Sequence, residues 1–351
     1  MNIKPLLKLM AEKNASDLFF TPMAPIKIKI EGQIMPLGKE MLTVEQVEDA
    51  CFSVMTEEQR DYLKKELEID FAISEPGLGR FRANVFRQRS HLAMVLRYVT
   101  LDIPRLSEIN VPPILERLSM RKRGLVLMVG ATGSGKSTTI AAMINHRNEN
   151  TSNHIITIEE PIEFLHPNKE SIVNQRELGL DTRSYARALK SAMREAPDVV
   201  VIGEIRDRET MQAAFTLAGT GHLCIATLHA NNAAETLDRI INMFPQNQHR
   251  QIFMDLSHYL NAIVAQRLVI GRDRRRVPAV EVLINTPHVA DQTMKGDITG
   301  VKEALQESLE EGMQSFDNSL YRLYKDGKID LETALADADS ATDLEAKINF
   351  G

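Results

Sequence analysis

The sequence predicts a two-part α/β protein: an N-terminal α/β unit, then a larger unit built on a parallel sheet with crossover helices. Three observations predict it. The chain has 351 residues, 43% of them hydrophobic and 26% charged, which suits two ordinary globular domains. Short runs alternating apolar and polar residues recur through the first hundred positions, with the period of half-buried strands. From Gly124 onward the pattern becomes short, continuously apolar runs separated by helical stretches, as buried parallel strands read.

The elements follow in order. The start, Met1-Asn2-Ile3-Lys4-Pro5-Leu6-Leu7, reads as a short amphipathic helix and lacks the apolar core and cleavage pattern of a signal peptide. Ile26-Lys27-Ile28-Lys29-Ile30 alternates as a strand, and Glu31-Gly32 is its turn. Residues 43–65 are polar and helical in pattern, with Thr43 as N-cap. Residues 81–87 and the stretch around 94–97 alternate again, completing a first domain over 1–100. A break at Thr100-Leu101-Asp102-Ile103-Pro104, followed by Val111-Pro112-Pro113, marks a linker over 101–115. The second domain spans 116–351. In it, strand 125–129 leads into a glycine-rich loop and a helix over 137–146. Residues 155–158, 199–202 and 223–227 are further strands. From about Asp255 the chain is expected to be mostly helical. Its last twenty residues, rich in Ala, Asp and Glu, are expected to form a loosely held tail.

Composition narrows the function. With 42 basic against 48 acidic residues the net charge is −6, which argues against nucleic acid as a partner. Two isolated cysteines, Cys51 and Cys224, exclude a structural zinc site of the usual spacing and suit the reduced thiols of a cytosolic protein. No apolar run reaches about 20 residues, the length a membrane-spanning helix needs.

The loop Gly130-Ala131-Thr132-Gly133-Ser134-Gly135-Lys136-Ser137 carries the clearest chemistry. Gly130, Gly133 and Gly135 let backbone N–H groups turn inward around phosphate oxygens, and the following helix adds its positive end. Lys136 supplies a charge for the β- and γ-phosphates, and the Ser137 hydroxyl is a Mg²⁺ ligand. Together they predict a nucleoside triphosphate site, taking ATP with Mg²⁺. Glu204, just past strand 199–202, would face this loop from the neighbouring strand and help hold the metal. Glu159-Glu160-Pro161-Ile162-Glu163 adds three carboxylates, a density that calls for a cation nearby. One of them is the base that polarises water, and spacing alone leaves Glu159 and Glu163 as equal choices. His222 and His229 bracket strand 223–228. Seven residues apart, they fall on opposite faces, so they do not share a metal; lone histidines are more often structural than catalytic.

In this order the glycine-rich loop, the acidic box 159–163, the strand ending at Glu204 and the segment from Thr220-Gly221-His222 to Thr227-Leu228-His229 resemble the secretion ATPases of type II and type IV pilus systems. Ala15-Ser16-Asp17-Leu18 and Gly79-Arg80-Phe81-Arg82 also resemble signatures of that GspE/PilT-like family, so the likeness covers nearly the whole chain. Its extension ATPases are larger and carry a four-cysteine zinc motif that is missing here. The chain is therefore more similar to the retraction group than to an assembly or extension ATPase. Within that group His288-Val289-Ala290-Asp291-Gln292-Thr293 after Thr286-Pro287, and Phe19-Phe20-Thr21-Pro22-Met23-Ala24-Pro25, look like the PilU-like accessory subgroup. Glu160 and Ala196 stand where the family commonly has Asp.

The resemblance implies a PAS-like N-terminal α/β domain followed by a RecA-like P-loop ATPase domain with a helical C-terminal region, assembled as a homohexamer. It implies ATP hydrolysis that powers pilus retraction, with a PilT-like ATPase and a PilC-like platform protein as partners, in the cytoplasm at the inner membrane. It assigns Glu163 as the catalytic glutamate. Nucleotide would lie between the domains, with Arg82 and Arg97 reaching the γ-phosphate. His222, His229 and Arg239 would lie near nucleotide or a subunit boundary, and Thr138 and Glu159 would join the nucleotide-binding set.

Overall fold

The computed structural model describes residues 1–30, 32–99, 102–307 and 311–350. The chain divides into two compact units, Met1–Asp102 with Glu163–Leu165, and Ile103–Ile162 with the residues from His166 onward.

The first unit contains α1 (Lys4–Glu12), β1 (Asp17–Phe20), β2 (Lys27–Ile30), β3 (Gln33–Pro36), α2 (Val44–Ser53), α3 (Glu57–Glu66), β4 (Glu68–Glu75), β5 (Gly79–Gln88) and β6 (His91–Val99). Its strands form an antiparallel sheet in the order β3-β2-β1-β6-β5-β4. Alternation sorts the faces: Phe81, Ala83 and Val85 of β5 and Leu92, Met94 and Leu96 of β6 are buried with Leu7, Met10, Val47 and Ala50 from the helices. Thr43 does cap α2, accepting from the Gln46 amide while the Gln46 side chain accepts from Thr43 N–H. Thr56 and Gln59 repeat that box, so the stretch expected as one helix over 43–65 is two. Strands β1, β3 and β4 were not expected. They are short or lie at an edge, β3 fully exposed, and show no sustained apolar alternation. Glu31 of the expected turn, and Thr100 and Leu101 of the expected break, lie outside the described residues.

The second unit runs through α4 (Ile114–Ser119), β7 (Gly124–Val129), α5 (Lys136–Asn150), β8 (His154–Glu159), β9 (Ile172–Glu177), α6 (Tyr185–Ala192), β10 (Val199–Ile202), α7 (Arg208–Gly219), β11 (Leu223–Leu228), α8 (Ala233–Asn242) and α9 (His249–Tyr259). It continues through β12 (Leu260–Ile270), β13 (Arg276–Ile284), α10 (Pro287–Lys295), α11 (Ile298–Glu307), α12 (Phe316–Lys325), α13 (Leu331–Ala336) and α14 (Ala341–Phe350). The sheet order is β13-β12-β7-β11-β10-β8-β9, parallel except for the β12–β13 pair. Strand β7 sends Leu125, Leu127 and Val129 into one core and Val126 and Met128 into the other. Burial on both faces is why such strands are continuously apolar.

Three expectations need correction. Leu106, Ile114 and Leu115, inside the expected linker 101–115, are buried in the core of the second unit. Proline punctuation hid them, because so short a segment shows no period. The region from about 255 is not mostly helical at first: the long hairpin β12–β13 intervenes, and helices dominate only from Pro287. Its apolar run is compatible with a buried helix or a buried strand. The expected loose tail is helix α14, anchored by Leu344, which is buried in the main core.

Candidate active site

Register places the chemistry. Val129 pairs with Leu228, Ala226 with Ile202, and Ile202 with Ile158. The glycine-rich loop after β7, His229 after β11, Glu204 after β10 and Glu159 at the end of β8 therefore emerge at the same carboxyl edge of the sheet. Open α/β sheets bind their ligands at that edge.

The loop's shape depends on its glycines at two points. Gly130 (φ 148°) and Gly135 (φ 86°) have positive φ, and a β-carbon at Gly130 would fall 2.4 Å from the Gln266 carbonyl oxygen. Gly135 precedes α5 directly, so the first turn, with Lys136, Ser137 and Thr138, presents the positive end of the helix to an anion. Lys136 Nζ donates to the carbonyls of Gly130 (2.8 Å) and Ala131 (2.9 Å), bending back over the loop. Ala131, Thr132 and Gly133 are exposed at its tip, while Ser134 is buried.

Glu204 sits in a charged cluster. Its Oε1 lies 3.0 Å from His229 Nε2, and its Oε2 accepts from Arg206 Nε at 2.8 Å and a terminal guanidinium nitrogen at 2.7 Å. Arg206 also donates to Glu160 at 2.8 Å. The hydrogen bond it donates to Glu204 raises the Arg206 pKa further, with Glu160 adding to it. Burial pushes the Tyr185 phenol well above its ordinary range, and the carboxylate of Glu160 adds to that. Glu159 Oε1 accepts from Thr157 (2.5 Å) and Gln175 (3.1 Å), which hold it at the strand end. Glu204 was expected on the strand neighbouring the phosphate loop, and this is corrected: β11 lies between β7 and β10, setting the two about 10 Å apart at ordinary strand spacing. Strand order is a tertiary property that alternation along the chain does not encode.

The structure brings His229 but not His222 to this edge. The backbone carbonyl of His222 pairs with Gly124 N–H at the start of β7, and its Nδ1 lies 3.1 Å from Thr220 Oγ1 and 3.2 Å from the Leu217 carbonyl. Six residues of strand, about 20 Å, separate it from His229. Within one chain, His229 therefore lies at the edge that carries the phosphate loop and His222 at the opposite one. Arg239 is exposed on α8, the helix that follows His229. Glu163 is exposed in the segment that groups with the first unit. There, Arg82 and Arg97 are direct cross-strand partners, and Arg97 is also opposite Asp17. Arg97 Nε donates to the buried Asp17 at 2.8 Å, and Arg82 lies 3.4 Å from Asp70. Like charges face each other across this pair, and Asp17 offsets them.

Sequence reasoning missed Arg206, Tyr185 and Gln266. Arg206 stands two residues beyond Glu204, a spacing that could have flagged it. Gln266 is a buried amide among the apolar residues of β12, also a usable signal. Tyr185 has none.

A phosphate loop joining a buried strand to its helix, with a fixed carboxylate at the same edge of a RecA-like sheet, defines a P-loop ATP hydrolase, here preceded by an N-terminal α/β domain. The chain belongs to the Type II/IV secretion system protein family, which matches residues 2–305. It is 51% identical over 354 residues to the Type IV pilus ATPase PilU of Pseudomonas aeruginosa, covering 100% of this chain and 92% of that protein. It is 38% identical to the Type IV pilus retraction ATPase PilT of the same organism, over 95% of this chain and 97% of that one. A crystal structure of the pilus retraction motor PilT with bound ADP superposes with a TM-score of 0.92 at 41% identity, covering 98% and 99% of the two chains. Among the described residues no helix is long and apolar enough to cross a membrane.

Proposed function

We propose that this chain is a motor ATPase that powers type IV pilus retraction, working as a homohexamer and as a PilU-like accessory to a PilT-like motor. The observation that carries it is the full-length match to a pilus ATPase, over 92% of that relative. The site geometry supplies the chemistry. Lys136 and the loop amides from Gly130 to Thr138 hold the β- and γ-phosphates of ATP. The hydroxyl of Ser137 and the carboxylate of Glu204 are hard oxygen donors that suit Mg²⁺. When bound, Mg²⁺ neutralises charge on the phosphate oxygens. Arg206 and His229 fix the direction of the Glu204 carboxylate. Glu163 takes a proton from the attacking water. Arg82 and Arg97 gain charge-assisted contacts with the γ-phosphate only in the closed state of the cycle. Glu159 and Arg239 complete the nucleotide-binding set, and His222 serves a subunit boundary. The motor works in the cytoplasm at the inner membrane, against a PilC-like platform protein.

Deletion in a piliated host, with and without the PilT-like partner, tests this proposal. Surface pili that accumulate and fail to retract support it. Loss of pili instead would assign the chain to extension. The chemistry is tested separately, by ATPase assay of Lys136→Ala and Glu204→Ala. Parental turnover in either variant would remove that residue from the site.

A further inference from the structure

Gln266 sits on β12 level with the phosphate loop, because Ala265 pairs with Val129, the last residue before Gly130. It is only 2% exposed, in a strand otherwise filled with apolar residues on that face. Both ends of its amide are used. Nε2 donates to the carbonyl of Ser134 at 2.8 Å, and Oε1 accepts from Thr139 Oγ1, also at 2.8 Å. The Ser134 carbonyl can only accept, so it fixes which way the amide points. Thr139 lies in the first turn of α5 and Ser134 in the loop, so one side chain joins loop, helix and strand. The same residue sets the limits of the loop: a methyl at Gly130 would meet its carbonyl oxygen at 2.4 Å, and one at Gly135 its Nε2 at 2.8 Å. On its far side β12 is held by β13, with Gln266 opposite Val280. Burying an amide here costs stability unless both hydrogen bonds form, and the glutamine amide offers a donor and an acceptor together.

We propose that Gln266 is a positioning residue for nucleotide. It braces the phosphate loop from the adjacent strand and holds its amides in the receiving geometry, so that ordering the loop costs little binding energy. The proposal rests on the ATPase reading of this loop and adds a residue that touches no phosphate itself.

Binding of a fluorescent ADP analogue and ATPase kinetics on the full-length chain test it. Gln266→Met keeps the volume and removes both hydrogen bonds; the dissociation constant should rise about tenfold, the scale of one or two buried hydrogen bonds. Turnover at saturating nucleotide should stay within about twofold, since the phosphate contacts are intact. Gln266→Glu keeps the acceptor for Thr139 and loses the donor to Ser134 when ionised. Its affinity should therefore be low at pH 8 and recover toward the parent's as the carboxyl protonates at lower pH, a response that packing alone would not produce. Thr139→Val should give a smaller loss. Where Gln266→Met fails to fold, Thr139→Val and Gln266→Glu decide the matter. Hydrogen exchange without nucleotide gives a second readout: amides 130–135 should exchange faster in the variants. Parental affinity and unchanged exchange in these variants overturn the brace. If the parent chain binds no nucleotide, the ATPase reading fails, and exchange at the loop still decides whether Gln266 braces it.

Discussion

Replacing Glu281 by Gln should make the protein more stable at pH 8 than the parent, while changing little at acid pH. Glu281 lies on β13, is only 4% exposed, and accepts a 2.8 Å hydrogen bond from the N–H of Ala233, the first residue of α8. Burial pushes its carboxyl up from 4.5 to about 7; the Ala233 amide pulls the other way, Asp339 adds to the rise, and Arg267 and Lys302 oppose it. The folded state thus holds this proton more tightly than the unfolded chain does. The stabilisation is complete below about 4.5 and is lost as pH rises through about 7. A proton held that much more tightly is worth about 3 kcal/mol. Glutamine keeps the acceptor for Ala233 and cannot ionise, so it avoids the loss. Melting of parent and variant at pH 5 and pH 8 reads the difference directly, because every other titrating group is common to both. The variant's advantage should grow by roughly 5–10 °C between those pH values, taking about 2–4 °C per kcal/mol for a unit of this size. A gap that stays constant from pH 5 to pH 8 would show that Glu281 does not titrate in this window.

Other outcomes follow from the same geometry. Gly130→Ala puts a β-carbon 2.4 Å from the Gln266 carbonyl at a φ that alanine avoids, so nucleotide affinity should fall by at least about tenfold in a binding assay. Arg82→Ala and Arg97→Ala should each lower kcat by about 10³-fold or more if they act as arginine fingers. Only Arg97→Ala should also lower the melting temperature, because it strips the buried Asp17 of its 2.8 Å partner, whereas Asp70 beside Arg82 is exposed. His229→Ala frees one oxygen of Glu204 and should cut ATPase activity. His222→Ala should leave nucleotide binding by the unassembled chain at the parental value, as titration with a fluorescent nucleotide would show.

Much of the second unit was legible along the chain. Strands 125–129, 155–158, 199–202 and 223–227 were readable because burial on both faces forces uninterrupted apolar runs. The phosphate loop was readable because positive φ at Gly130 and Gly135, with the Gln266 backbone carbonyl close to the first and its side-chain amide close to the second, disfavours a side chain at either. The first unit's edge strands were not readable, since exposure on one or both faces lifts the demand for a pattern. The hairpin β12–β13 hid because its apolar run suits either a helix or a strand.

The sequence by itself determined the local chemistry: the loop that turns its amides inward, the carboxylates at strand ends, and the caps such as Thr43 that start helices. Each follows from residues a few positions apart, where backbone sterics and side-chain reach decide. Only the tertiary structure decided which distant residues meet. It set β11 between β7 and β10, joined Glu204 to His229 and Arg206, sent His222 to the opposite edge, and laid Gln266 against a loop more than a hundred residues earlier in the chain. Those pairings depend on strand order and register, which come from packing whole elements over a shared core and leave no period in the sequence.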